Sequence, residues 1–377
     1  MINYIPVSKP ERELSKIPDY KKRFNSELRS GRYVGGKNID ILESSLCEFL
    51  DINYSSTMNS GTDALMLSLI ALGVSSGDEV IVPSFTYFAT VEAVLQVNAV
   101  PVFADIETDS YCIALKSIKK LVTKKTKCII PVHLFGYNAD IENIANYAKK
   151  KGIKVIEDTA QAFGSKTNNG KYLGTFGDIN AFSNFPSKTL GGIGDGGFIT
   201  TNNSELYNKI NMLKNHGQLG TYDHQIVGIN SRLDSLNAFT INEKLKIFDN
   251  ISESRKEFTE FYLDIFKEIE QVRIPKITNQ MLLNYFTIIL PKDLRDTFKS
   301  ELNKVGIEAN IYYKTPIHLQ KVMNKENVMF KNDNLHNTED LSFKVLSLPL
   351  FAFPLLKEQK YLKENIIRCV NKVINKI

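Results

Sequence analysis

Four stretches of this 377-residue chain put reactive or ligand-gripping side chains where a strand-like run gives way to a turn or helix. "FSNFPSKTLGGIGDGG" sets Lys188 between a strand-like run and Gly191, Gly192, Gly194, Gly196 and Gly197. "IKVIED" ends in Asp158, 30 residues before Lys188. "NSGTDAL" places Gly61 and Thr62 at the start of a helical run, and "VPSFTY" ends at Tyr87. Each stretch has an ordinary reading. Ser60 or Thr62 is a normal N-cap for a helix, Asp158 a cap or ion-pair partner, Tyr87 a core residue, and a lysine before glycines a solvated turn.

Together the four stretches offer a specific chemistry. A strand-end lysine supplies an amine that can form a Schiff base, and a carboxylate can face a protonated ring nitrogen. The free amides and dipole of a helix N-terminus hold an anion, and an aromatic side chain covers a flat ring. Those are the requirements of pyridoxal 5'-phosphate. The glycines after Lys188 let the backbone pass close to a ligand without a side-chain clash.

The elements that must position these residues follow from the hydrophobic pattern. Between about residues 60 and 200, helical spacing ("TDALMLSLIALGV", "ATVEAVLQVNA", "DIENIANYAKKKG") alternates with short buried β-rich runs ("EVIVPSF", "VPVFADI", "KCIIPVHLFG", "IKVIED"). Such alternation implies an α/β fold with a mostly parallel sheet covered on both faces. Ligands of these sheets bind beyond the carboxyl ends of the strands, where the four stretches would meet. After about residue 235 the texture turns helical, with a later strand in "NYFTIILP". We expect a large unit over 1–245 and a smaller C-terminal α+β unit over 246–377. "MNKENVMFKNDNLHNTED" reads as a polar loop.

Composition removes other classes. The net charge of +5 is too mild for a nucleic-acid binder. Cys47, Cys112, Cys128 and Cys369 form no CxxC pair and no metal-ligand spacing, so no metal site and a reducing cytoplasmic setting are expected. The N-terminus lacks a signal-peptide pattern. No run reaches the roughly 18 apolar residues of a membrane helix.

Through "NSGTDAL", "PSFTYFAT", "PVFADI", "IEDTAQAFG", "FPSKTLGGIGDGG" and "GINSRLDSLNA", in that order, the chain resembles the DegT/DnrJ/StrS-type sugar aminotransferases. The resemblance runs from near residue 30 to near residue 350. It implies the aspartate aminotransferase fold (fold type I) and pyridoxal phosphate. It also implies a homodimer with shared active sites. By resemblance, Lys188 is the Schiff-base lysine and proton shuttle, and Asp158 the partner of the pyridine nitrogen. Gln161 lies near the ring hydroxyl, Tyr87 stacks on the ring, and Gly61, Thr62 and Ser183 contact the phosphate. Asn230 reaches the phosphate of the neighbouring subunit's cofactor. Asn184, Asn237 and Lys314 depart from residues common in relatives.

The resemblance implies amine transfer from glutamate to a nucleotide-linked keto-sugar, with "GINSRLDSLNA" closer to relatives acting at carbon 3 than at carbon 4. The setting would be deoxyamino-sugar or polysaccharide biosynthesis. Tyr313, His318 and Arg232 are substrate candidates, with His216, Tyr222 and His224 behind them. The C-terminal third has only Arg255, Arg273, Arg295 and Arg368, none in a motif-like context, which favours a neutral sugar acceptor. A 4-keto-sugar aminotransferase, a dehydratase on the same fold and a non-catalytic cofactor-binding regulator are the alternatives. Lys188 argues against the dehydratases, which carry histidine in its place.

Overall fold

The computed structural model describes residues 3–325 and 328–373. Twelve strands occur among them: β1 (Tyr54–Met58), β2 (Glu79–Pro83), β3 (Val100–Ala104), β4 (Thr126–Ile129), β5 (Lys154–Asp158), β6 (Ile179–Ser183), β7 (Gly197–Thr201), β8 (Gln218–Gly220), β9 (Asp223–His224), β10 (Phe286–Ile289), β11 (Lys331–Asn332) and β12 (Val345–Leu348). Eight form one sheet in the order β1-β7-β6-β5-β4-β2-β3-β11. All its pairings from β6 to β11 are parallel, while β7 runs antiparallel to both β1 and β6.

Side chains of a strand alternate between the sheet's two faces, and here both faces are buried. Ile81, Val102, Ile129 and Val155 enter one hydrophobic core. Their neighbours Val80, Phe103, Cys128 and Ile156 enter a second core on the opposite face. That double burial is why these strands read as continuous apolar runs. The helix Gly61–Ala71 is wrapped in the second core, with Ala64, Leu65, Leu67, Ser68, Leu69 and Ala71 all buried. Phe182 of β6 and Phe198 of β7 stack at 4.3 Å between ring centres in a third core.

The long helical stretch after residue 235 breaks at Ile247 into two helices, Ser235–Lys246 and Phe248–Phe266. We propose this break as the boundary between the large and small units. Beyond it, β10 and β12 pair antiparallel against the helices Lys292–Lys304 and Leu356–Val373. Two details differ from the sequence reading. First, the N-terminal arm joins the C-terminal part. The Ile5 amide donates to the Gly306 carbonyl at 2.7 Å, and Lys9 and Arg12 hold the buried Glu358 at 2.7 and 2.6 Å. Second, the expected polar loop around residues 323–340 contains β11, which extends the large sheet, and the start of the helix His336–Ser342. Glu326 and Asn327 of that loop lie outside the described residues.

Candidate active site

The carboxyl ends of β2, β5 and β6 point the same way because those strands are parallel. Asp158 is the last residue of β5 and Ser183 the last of β6. The chain after β2 passes through Thr86 and Tyr87 into the helix Ala89–Gln96. Against these ends sits the N-terminus of Gly61–Ala71, capped by Ser60, whose Oγ accepts the Asp63 amide at 3.0 Å. Close approach fixes two glycines. A Cβ on Gly61 would stand 2.9 Å from the Ser183 Cβ, and one on Gly197 2.5 Å from the Ser60 carbonyl carbon. Gly61, Thr62, Tyr87, Asp158, Gln161, Ser183 and Lys188 thus line one cavity of about 360 Å³. A larger, more open groove of about 890 Å³ lies beside the helix Ile141–Lys151 and holds none of them.

Lys188 sits in a turn, its amide bonded to the Phe185 carbonyl at 2.8 Å. Its side chain has no hydrogen bond or ion pair among the described residues. Four of the five glycines that follow are crowded by the protein's own atoms, and Gly196 also lines the cavity. A Cβ on Gly191 would lie 2.3 Å from the Pro186 carbonyl oxygen, and one on Gly192 2.0 Å from the Asn237 Oδ1. Asn237 accepts the Ile193 amide at 2.9 Å and donates to the Asp195 carbonyl at 2.8 Å. Asn184 donates through Nδ2 to the Leu190 carbonyl at 2.8 Å. Asn184 and Asn237 therefore cinch the loop that carries Lys188.

Asp158 is 5 % exposed. Its Oδ2 accepts from the Thr90 hydroxyl at 2.8 Å and its Oδ1 from the Ala160 amide at 3.2 Å. Burial pushes this carboxyl above its ordinary range, opposed by those two donors and the nearby Lys188 charge. No ion pair among the described residues satisfies it. A buried carboxylate held only by neutral donors fits the protonated ring nitrogen of pyridoxal phosphate. The first-turn amides of a helix have no intrahelical acceptor, so those of Gly61 and Thr62, beside Ser183, fit its phosphate.

Gln161 is oriented by its neighbours. The Phe135 amide donates to its Oε1 at 2.9 Å, which turns Nε2 toward the Tyr313 hydroxyl at 3.1 Å. Tyr87 is 60 % exposed, with its ring centre 6.2 Å from that of Tyr313, and Tyr313 lines the cavity.

Other candidates lie elsewhere. His318 is a buried structural pin rather than a cavity residue: its Nδ1 meets Ser84 Oγ at 2.7 Å and its Nε2 meets Glu339 at 3.2 Å. Asn230 and Arg232 are exposed outside this cavity, bonded to each other at 3.0 Å. His216, Tyr222 and His224 belong to the exposed β8–β9 region. Arg255 is consumed by the Leu283 and Asn284 carbonyls, Arg273 by Asp109 and Arg295 by the Ser342 carbonyl and Asp296.

Sequence reasoning missed Thr90, one helical turn after Thr86 in the quoted "PSFTYFAT", and the cavity residues Ser187, Tyr285 and Tyr312. Tyr285 and Tyr312 pack with ring centres 4.6 Å apart. Both arrive from the C-terminal part with no local motif.

Among the described residues no helix is long and apolar enough to cross a membrane, and no group of three or more His, Cys, Asp or Glu is placed to hold a metal.

The model of the DegT/DnrJ/EryC1/StrS aminotransferase family matches residues 16–366. The chain is 39% identical over 335 residues to the UDP-N-acetyl-3-dehydro-alpha-D-glucosamine 3-aminotransferase of Acidithiobacillus ferrooxidans, covering 88% of each. Among solved structures it is similar to DesV of S. venezuelae in complex with a ketimine intermediate, with a TM-score of 0.91 at 29% identity, covering 97% of this chain and 98% of that one. It is also similar to NtdA of Bacillus subtilis with bound cofactor PMP, with a TM-score of 0.89 at 30% identity, covering 98% and 86%.

Proposed function

Because the chain belongs to the DegT/DnrJ/EryC1/StrS aminotransferase family, we propose that it moves an amino group from glutamate to a nucleotide-linked 3-keto sugar, using pyridoxal 5'-phosphate. One observation carries the reading: a single cavity holds an unpaired Lys188, a buried Asp158 without a cationic partner, and a helix N-terminus. The first relative named acts on a 3-dehydro sugar nucleotide, which favours carbon 3 over carbon 4.

When bound, pyridoxal phosphate supplies an aldehyde that captures amines and an electron-withdrawing ring that acidifies the adjacent carbon. The residues divide the remaining work. Lys188 offers the Nζ amine that would hold the aldehyde covalently, and the same Nζ, when free, would accept and return a proton at the substrate. Asp158, oriented by Thr90 and the Ala160 amide, would keep the ring nitrogen protonated. Gly61, Thr62 and Ser183 would hold the phosphate, and Tyr87 and Gln161 would flank the ring. Tyr313, fixed by Gln161, contacts the incoming sugar.

The family's shared sites support a homodimer in which Asn230 serves the neighbour's cofactor, consistent with its exposure away from its own cavity. All four cysteines are free, which supports a reducing, cytoplasmic setting, testable by fractionation.

The donor assignment has a direct test. Glutamate alone should bleach the visible absorption band of the holoprotein, and a nucleotide-linked 3-keto sugar should restore it. A band unmoved by glutamate would sink the donor assignment, and one unmoved by any amino acid would make the protein a binder rather than a transaminase.

A further inference from the structure

The segment holding Asn230 and Arg232 is bolted to the phosphate-gripping helix of its own chain through one buried residue. The Ile229 and Ser231 amides donate to the Leu213 and Lys214 carbonyls, each at 2.8 Å. Ser231 is fully buried. Its hydroxyl donates to Asp63 Oδ2 at 2.7 Å and accepts the Asn59 amide at 3.3 Å. Asp63 lies in the first turn of Gly61–Ala71. Flanking Ser231, the Asn230 and Arg232 residues are exposed. Arg232 Nε donates to Asn230 Oδ1 at 3.0 Å, and its Nη1 to Asn215 Oδ1 at 3.4 Å.

A guanidinium has donors and no acceptor, so the Asn230 atom facing it must be the carbonyl oxygen. Both hydrogens of the Asn230 amide then remain, with no acceptor among the described residues. No carboxylate pairs with Arg232 among the described ion pairs, so its charge also stays uncompensated. The result is a donor-only tip on a rigid base, suited to an anion.

We propose that Arg232 is a positioning residue: by holding the Asn230 carbonyl oxygen it turns the amide hydrogens outward, toward the phosphate of the cofactor in the neighbouring subunit. This rests on the reading that Asn230 serves the neighbour's site. Arg232 then acts through Asn230 rather than as the substrate contact expected from the sequence.

The test titrates the apoprotein with pyridoxal phosphate and with phosphate-free pyridoxal. A hydrogen bond to a charged group is worth enough that Asn230→Ala should weaken pyridoxal phosphate binding by roughly tenfold or more. Asn230→Asp, which turns only acceptor oxygens outward, should weaken it further. Arg232→Ala should weaken it by a smaller factor, and the double variant should bind no more weakly than Asn230→Ala alone. Pyridoxal affinity should stay unchanged in all four, which a merely structural defect would not allow. Full additivity of the two alanine variants overturns the proposal, because Arg232 would then touch the anion itself. So does an Arg232→Ala variant that raises the KM for glutamate with pyridoxal phosphate affinity intact. The underlying reading is tested separately by mixing Lys188→Ala with Asn230→Ala protomers. Mixed dimers hold one site with both residues intact and should regain activity above either parent. If subunits exchange and no gain appears, Asn230 does not serve the neighbour, and the proposal falls with that reading.

Discussion

Lys188→Ala is expected to abolish transamination while the protein stays folded. Among the described residues Lys188 is the one lysine lining the cavity, so no second amine there stands ready to bond the cofactor aldehyde. In the proposed mechanism its removal takes away the covalent anchor and also the group that moves the proton. Positioned acid–base catalysis alone contributes about 10²–10⁴ in rate, and losing the anchor adds to that. The fold should be indifferent, because the Lys188 side chain makes no hydrogen bond or ion pair among the described residues. The turn around it is held instead by backbone bonds and by Asn184 and Asn237. Steady-state rates beside a thermal melt check both halves of the expectation. Turnover near that of the unmodified protein would remove Lys188 from the mechanism.

Asp158→Asn carries the second-largest expected effect. The substitution keeps the shape and can still accept from the Thr90 hydroxyl, so β5 and its surroundings should persist. What it deletes is a buried negative charge, the one proposed to face the ring nitrogen. Removing a preorganised electrostatic contact of this kind costs roughly 10²–10³ in kcat. Burial lifts the Asp158 carboxyl above its ordinary range, against the Thr90 and Ala160 donors and the Lys188 charge. A protonated ring nitrogen facing it would act in the same direction as those groups and lower the carboxyl pKa further. An unchanged kcat in the variant would mean another group faces the ring nitrogen.

How much of this was legible in the sequence varied with the range of the interactions. Asp158 could be placed because it closes a short, doubly buried parallel strand, and such a strand announces itself as an apolar run ending in a polar residue, whereas Ser183 entered through the family resemblance alone. The Gly61–Ala71 helix was legible from its cap and its apolar run. The antiparallel course of β7 was not, since a buried strand reads the same in either direction. The break at Ile247 has no glycine or proline to signal it. The attachment of the N-terminal arm to Gly306 and Glu358 joins residues hundreds of positions apart. The same limit hid Tyr285 and Tyr312, which reach the cavity only through tertiary packing. Nor could the sequence show that both ring nitrogens of His318 are engaged by Ser84 and Glu339, which come from distant segments. Within the glycine cluster, Gly191, Gly192 and Gly197 closely approach Pro186, Asn237 and Ser60 of the same chain, contacts that only the folded loop reveals.

The central claim, amine transfer to carbon 3 of a nucleotide-linked sugar, is tested most directly by the position of the nitrogen in the product. The holoprotein would be incubated with ¹⁵N-labelled glutamate and, in parallel, with 3-keto and 4-keto sugars linked to UDP and dTDP, and the products examined by NMR. The expected product carries ¹⁵N on carbon 3 of a 3-keto substrate. Label exclusively on carbon 4 would contradict the regiochemistry, and label passing only between amino acids and oxoacids would contradict the sugar substrate itself.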